Sequence, residues 1–444
     1  MYIGDKGFWG DAGTAQGGFA TYLATAGFVA LLLLLFVTLH PFHPPPDLQQ
    51  TGNIHDPAGG DALRQVCYLG AFALALAGAF GARGFGAIRA LPLLLTLLLA
   101  WCLASASWAE DPAVVFRRAA LASILVLSTF LSFEVLGATR AFQLLRAVLV
   151  GVLIVNWLSI PLIHTAVHLP GETDPGLVGD WRGLYSQKNT AGAICALTVL
   201  LFLFRDGALR RWTSILVIVA ATGFLVMTHS KTSMVLLPVA ILAGGLYRLA
   251  WGNGIDRASL FIGSALLVFL AVIFGLYNVS WLAHLLENPT QFTGRAEIWK
   301  ADIAFLHDHF FLGAGFGTVA GTGGPSFLRN YVLDAWVQSI GDSHNGYLQL
   351  IVSLGVTGFV LALLALVGEP VLRFWPLDRS GASKAGLFAL FIFVILHDFT
   401  ESDFLESDSG AWFIFLLVIA SLRERPAVLF SGAAAAPSGQ AVDY

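Results

Sequence analysis

The sequence predicts an all-α polytopic membrane protein with about twelve transmembrane helices. Three observations predict it. First, 57% of the 444 residues are hydrophobic and only 12% are charged, whereas soluble domains carry about a quarter charged residues. Second, mean hydropathy is +0.76, which leaves too little polar surface to cover a particle in water. Third, apolar runs recur at close to the roughly 20 residues that a helix needs to cross hydrocarbon. Lipid cannot satisfy open backbone groups, so those runs are expected to be helices. A soluble enzyme, a disordered chain and a disulfide scaffold are excluded. A net charge of −4 offers no basic field for nucleic acid. Cys67, Cys102 and Cys195 sit in apolar runs without CxxC spacing and read as small core residues.

The predicted spans lie near 20–39, 66–82, 87–106, 119–137, 145–165, 189–204, 212–229, 232–249, 258–277, 346–367, 385–397 and 409–422. The first has neither the charged flank nor the cleavage site of a signal peptide, so it is expected to stay as an anchor. Most of the 24 Lys and Arg fall on one side when both termini are placed in the cytoplasm. The whole chain, 1–444, then reads as a single integral membrane domain with a cytoplasmic tail at 423–444. Connections on the inner side are short and basic. Those on the outer side include a long loop, 278–345, between the ninth and tenth spans. That loop holds a helical pattern from Arg295 to Leu306, with Thr293 as its expected N-cap and Ile298, Ile303, Phe305 and Leu306 as its apolar face. A glycine-rich turn, Gly313 to Gly317, follows it. Loops of that length carry function or are disordered, so any chemistry is expected on the outer face.

Four clusters there stand out. Asp180-Trp-Arg-Gly-Leu-Tyr-Ser-Gln-Lys-Asn189 places Arg182 and Lys188 where a helix starts, and helix starts attract anions. An interfacial anchor of Trp, Tyr and Lys is an equally open reading. Arg295 and Glu297 share a first helical turn; a cation there opposes the dipole, and either an anionic ligand or a plain surface arginine accounts for it. His344 lies between Asp342 and Asn345 at the start of the tenth span. It is a side chain suited to proton transfer near neutral pH, or else part of a capping segment with Asp342 or Ser343 as the cap. Finally, His397 to Asp408 carries five carboxylates, with Glu401 and Asp403 held close to the membrane by short flanking spans. A solvated acidic loop is the plain alternative. Lys231, in His229-Ser-Lys-Thr-Ser233, adds another outer cation.

No GxxxxGK[ST] signals a nucleotide site, and no HExxH, paired-histidine or DxD-like motif signals a metal. No metal and no cofactor are therefore expected. A secondary transporter is the rival class, but it would place ionisable groups at midplane in repeated, broken helices. The spans here are nearly free of charge.

Five pieces in order resemble the O-antigen ligase and Wzy-type polysaccharide polymerase family. They are Arg182-Gly-Leu-Tyr-Ser-Gln-Lys-Asn-Thr-Ala-Gly192, His229-Ser-Lys-Thr-Ser233, Thr293-Gly-Arg-Ala-Glu-Ile-Trp299, Ser343-His-Asn-Gly-Tyr-Leu-Gln349 and Thr400-Glu-Ser-Asp-Phe404. The form around Trp181 to Asn189 looks most like the exopolysaccharide, succinoglycan-type polymerase branch. The resemblance implies a GT-C-like fold and a metal-independent, inverting glycosyltransferase of the bacterial inner membrane, acting at the periplasmic face. Its donor would be a glycan linked to undecaprenyl diphosphate. Its acceptor would be another lipid-linked repeat in a polymerase, or lipid A–core in a ligase. A flippase and a chain-length regulator are the implied assembly partners, beside the bilayer itself. Under that resemblance Arg182, Arg295 and Lys188 would hold the diphosphate and His344 would be the base, with Asp342 orienting its ring. Tyr185, Gln187, Asp342, Asn345, Glu401 and Asp403 would contact sugar or acceptor, and Glu401 or Asp403 would be the base if His344 is not.

Overall fold

The computed structural model describes residues 10–43, 62–170, 172, 175–204, 211–252, 295–318, 327–333, 343–374 and 381–423. The ninth expected span at 258–277, Thr293, Asp342 and almost all of the expected tail lie outside the described residues. Within them every regular element is helical, and an isolated antiparallel bridge pairs Val167 with Trp181.

The helices are α1 (Gly10–Phe36), α2 (Ala62–Arg83), α3 (Leu93–Ala104), α4 (Pro112–Leu162), α5 (Lys188–Leu203), α6 (Arg211–Met227), α7 (Lys231–Gly252), α8 (Arg295–His309), α9 (Gly346–Leu363), α10 (Gly381–His397) and α11 (Gly410–Arg423). A π-helical turn, Leu364–Gly368, continues α9 into Glu369–Phe374. Among the described residues, five stretches are long and apolar enough to cross a membrane: Gly18–Phe36, Ala62–Ala90, Pro112–Leu162, Lys231–Leu249 and Gly346–Phe374. Shorter apolar helices, Leu93–Ser107, Lys188–Leu203, Arg211–Met227, Lys384–His397 and Gly410–Arg423, complete the described set.

α4 begins with Asp111 accepting from the N–H of Val114 and with Pro112 at the first position, where proline costs no hydrogen bond. Its 51 residues would run about 77 Å as one rod, far beyond the roughly 30 Å hydrocarbon core. Gly137 breaks it, at φ 68° and ψ 166°. The break falls between the two spans expected at 119–137 and 145–165.

Because lipid tails are as apolar as leucine, close packing rather than burial from water must hold such helices together. The contact of α1 with α2 meets that need with small residues. Ala20 and Ala24 face Ala71, Ala75 and Ala79, all buried. A Cβ on Gly78 would lie 2.5 Å from the Ala24 nitrogen, and one on Gly27 2.9 Å from the Ala71 carbonyl. At the centre, α5 is buried from Ala191 to Phe202 and α11 from Gly410 to Ala420, Trp412 included. A helix that is apolar all round belongs inside. On the outside, α7 shows Val235, Val239, Leu242, Leu246 and Leu249 as one exposed stripe, a surface suited to lipid. Cys102 and Cys195 are buried and Cys67 is half-buried, each unpaired.

The long outer loop docks onto a second break. At Gly355, with φ 66° and ψ 179°, α9 stops being helical. The carbonyls freed there find new donors: Val352 accepts from the N–H of Ala314 at 2.8 Å, Ser353 from Gly315 at 2.9 Å, and Leu354 from Trp101 Nε1 at 3.1 Å. In return the N–H of Val356 donates to Phe310 at 2.7 Å. Open backbone at membrane depth is tolerated only when protein satisfies it in this way. Gly313, Gly315 and Gly317 all have positive φ, as the turn expected there requires. α8 buries Ile298 and Phe305 as expected and half-buries Leu306. Ile303, counted with that face in the sequence, is 62% exposed. Its neighbours Ala301 and Asp302 are buried instead, so the buried face is rotated away from it.

Gly355→Ala should therefore be costly, because a Cβ there would lie 2.2 Å from the Phe311 carbonyl at a positive φ. A stability loss exceeding about 1 kcal/mol is expected, seen as a lower thermal midpoint in detergent. Gly245→Ala, with open space around it, should leave the midpoint unchanged or raise it slightly.

Candidate functional site

Glu401, in the acidic loop, stands where all four sequence clusters meet. One oxygen, Oε1, accepts from Asn189 Nδ2 at 2.8 Å and from Arg295 Nη2 at 2.9 Å. The other, Oε2, lies 3.9 Å from His344 Nδ1. Arg295 also donates to the carbonyl of Thr400, and the Thr400 hydroxyl meets that of Thr232 at 3.3 Å. The first turns of α5, α7 and α8, and the residue just before the cap of α9, are thus gathered at one loop, His397 to Ser409. Each helix start carries partial positive charge, and the gathered end favours anions.

Burial alone would raise the Glu401 carboxyl. The close approach of His344 and the charges of Arg295 and His397 outweigh burial and bring it down to about 2. Glu401 is therefore ionised at any working pH and serves Arg295 as a fixed counter-charge. The arginine is 14% exposed.

His344 adopts a left-handed backbone, φ 46°, which is uncommon outside glycine and recurs where structure holds a functional group in place. The local reason is the turn into α9. Asn345, not Asp342 or Ser343, caps that helix, its Oδ1 accepting from the N–H of Leu348 at 3.0 Å. Ser343 is fixed from both sides, its N–H donating to Gln349 Oε1 at 2.8 Å and its carbonyl accepting from Trp299 Nε1 at 2.9 Å. Gly346 donates its N–H to the carbonyls of Asp398 and Glu401. A Cβ on Gly346 would meet Asp398 Oδ2 at 1.8 Å, so glycine is required there.

The other expected site residues lie as follows. Arg182 is wholly buried. Its Nη2 reaches Glu172 Oε1 at 3.0 Å and its Nη1 reaches Oε2 at 3.2 Å, while Nε donates to the carbonyl of Thr165 at 2.8 Å. Burial would raise Glu172. The N–H of Leu169, the ring of His168 and the charge of Arg182 bring it below the ordinary carboxylate range. In this arrangement Arg182 ties together the loop that leads into α5. Lys188 pairs with Asp180 Oδ2, whose Oδ1 takes His229 Nδ1 at 2.6 Å. Tyr185 is buried and donates to the carbonyl of Phe36 at 3.1 Å. Gln187 is exposed at the cap position of α5. Asp403 accepts from the buried His397 at 2.6 Å and from Ser409 at 2.8 Å. Thus Arg295, His344 and Glu401 come together, with Lys188 one residue from Asn189. Arg182, Tyr185 and Asp403 have protein partners elsewhere.

Asn189 and Asp180 carry contacts that residue-by-residue reading passed over. Both stood inside the first cluster, and their signal was only adjacency to its cations. Among the described residues no group of three His, Cys, Asp or Glu is placed to hold a metal.

The sign of the Glu401 effect gives a test. Its folded pKa lies below the ordinary 4.5. Its contribution to stability is therefore present above about pH 4.5 and fades as pH falls toward about 2. The thermal midpoint of the wild type should drop through that window. Glu401→Gln should be less stable at neutral pH and show a shallower drop.

No curated protein matches this sequence. Residues 215–363 match a family model described as O-antigen ligase. The matched segment contains His229, Lys231, Arg295 and His344, while Asn189 and Glu401 flank it on either side. Over residues 215–363 the chain matches the O-antigen ligase family, and this match supports its resemblance to the ligases and Wzy-type polymerases.

Proposed function

We propose that this protein is a polysaccharide polymerase of the bacterial inner membrane, serving an exopolysaccharide of the succinoglycan type. It joins oligosaccharides carried on undecaprenyl diphosphate at the periplasmic face. The observation that carries this reading is the meeting of Arg295, Asn189, Glu401 and His344 at one group of helix starts. Transfer from a lipid diphosphate needs a cation for the leaving group and a base for the acceptor hydroxyl, and the cluster has both.

In the proposed reaction the acceptor oxygen attacks the anomeric carbon from the face opposite the diphosphate. The C–O bond to phosphate breaks and its electron pair leaves with the diphosphate, so configuration inverts. His344 takes the hydroxyl proton. Arg295, oriented by Glu401 and the Thr400 carbonyl, turns its remaining N–H groups to the developing negative charge. Glu401 stands beside His344 in an orienting position, a role the resemblance implies for Asp342. Arg182 holds the loop before α5 and would meet diphosphate only on leaving Glu172. The donor supplies the free energy, so neither nucleotide nor metal is needed.

An O-antigen ligase, with lipid A–core as acceptor, is the second reading; the description of the matched family favours it. Lipid-linked glycans isolated from a deletion strain separate the two. Single unpolymerised repeats are expected for a polymerase, and full-length chains still on undecaprenyl diphosphate would mark a ligase. In purified enzyme, His344→Gln should lower turnover by roughly 10²–10⁴-fold and leave donor binding intact, while EDTA should leave the wild type active. A wild-type rate in the Gln variant would remove His344 as base. A cysteine at Ser402, beside Glu401, should be labelled by an impermeant reagent from the periplasm, and labelling only from the cytoplasm would overturn the placement.

A further inference from the structure

A second imidazole stands beside the site, and nothing above gives it work. His229 sits in the turn between α6 and α7. Asp180 Oδ1 lies 2.6 Å from its Nδ1, so the carboxylate takes the Nδ1 proton and Nε2 is the ring atom left to face outward. The side chain is 60% exposed, and its backbone is left-handed, φ 48°. Asp180 uses its other oxygen for Lys188. Lys231, two residues on, is exposed in the first turn of α7.

This group and Glu401 stand on the same two helix starts. Lys188 adjoins Asn189, which bonds Glu401. Thr232, three residues past His229, meets Thr400, the neighbour of Glu401. α5 and α7 touch closely here, since a Cβ on Gly192 would lie 2.5 Å from Ser230 Cβ.

The two imidazoles differ in their surroundings. His344 has an ionised carboxylate, shared with an arginine, at 3.9 Å. His229 has its carboxylate at hydrogen-bond distance on one nitrogen and lysines on either side in sequence. A carboxylate so placed orients the ring and leaves Nε2 turned outward. Lys188 shares that carboxylate, and Lys231 is exposed at the start of α7.

We infer that His229, oriented by Asp180 and flanked by Lys188 and Lys231, is a hydrogen-bond donor to the departing diphosphate. The inference rests on the glycosyl-transfer reading and deepens it. As the sugar–phosphate bond breaks, the electron pair goes to the phosphate oxygen, and His229, acting as an imidazolium in the complex, keeps Nδ1–H on Asp180 and donates Nε2–H to that oxygen. No bond to His229 forms, and the proton of the acceptor still goes to His344. Removal of one such donor costs about 10²–10³ in kcat.

The test uses the full chain in detergent with inorganic diphosphate as the probe, its binding measured by calorimetry. His229→Leu, which has no donor, should weaken binding about tenfold or more, with an unchanged thermal midpoint. His344→Gln should bind diphosphate as the wild type does. With lipid-linked oligosaccharide as substrate, His229→Leu should lose about 10²-fold in kcat while the KM for acceptor holds. Should the Leu variant fail to insert, His229→Ala is read the same way. Wild-type diphosphate affinity in a folded His229 variant, an unchanged kcat, or no diphosphate binding by the wild type overturns the inference. If the His344 variant loses product while the His229 variant binds diphosphate normally, the inference fails and the transfer reading stands. If the wild type makes no product from lipid-linked oligosaccharide, the transfer reading itself fails.

Discussion

One carboxylate organises the outer end of this molecule. Glu401 is held by Asn189 from α5 and Arg295 from α8, and His344 stands beside it just ahead of α9. Without that charge, Arg295 would sit at a helix start with only Glu297, already paired with Lys300, to offset it, and the loop leading into α9 would lose its electrostatic tie to α5. The backbone adds its own constraint: Gly346 donates to the Glu401 carbonyl, so the loop that carries the carboxylate is hydrogen-bonded to the helix that follows His344.

The position of Arg295 depends in turn on an event some distance along the chain. α8 ends in the glycine turn that fills the break in α9 at Gly355. That break exposes three carbonyls, and the turn and Trp101 satisfy them. The long outer loop is thereby pinned to the bundle at its far end by backbone bonds, while Trp299 fixes its near end to Ser343. A helix pinned at both ends can present an arginine with little reorganisation, which an electrostatic role in catalysis requires.

Much of this was legible in the sequence. Apolar runs and their interruptions located the described helices, because helix length in lipid is set by thickness and by backbone satisfaction rather than by fine side-chain detail. The four polar clusters were legible as well, since polar residues at the ends of apolar spans have few structural reasons to be there. Pairing was not legible. Arg182 and Arg295 look alike as letters, yet one is wholly buried on Glu172 and the other reaches Glu401. Glu172 and Glu401 are ordinary carboxylates in ordinary loops until the chain brings them to their partners. Ile303 missed its expected face for a similar reason: α8 lies against α9 and the turn after it, and its rotation is set by those contacts. Asn345 replaced its neighbours as cap because His344 takes the left-handed conformation just before it.

The acidic loop raises a last physical question, because five carboxylates beside the proposed anion site should repel its ligand. Four of them are buried or paired. Asp398 is fully buried, with Oδ1 accepting the N–H groups of Asp403 and Phe404. Burial and the neighbouring charge of Asp403 push it well above the ordinary carboxylate range. Glu401 is paired with Arg295 and Asp403 with His397. Asp408 lies 3.3 Å from Arg64, whose Nη2 also reaches Ser407. Such pairs shape the loop at little net charge. Under the proposed reading, the field felt by a lipid diphosphate is then set by the helix starts and by Lys231, not by the count of acidic residues. A sequence that reads as the most negative stretch of the chain can therefore form one wall of an anion site, provided that most of its carboxylates are buried or paired before the ligand arrives.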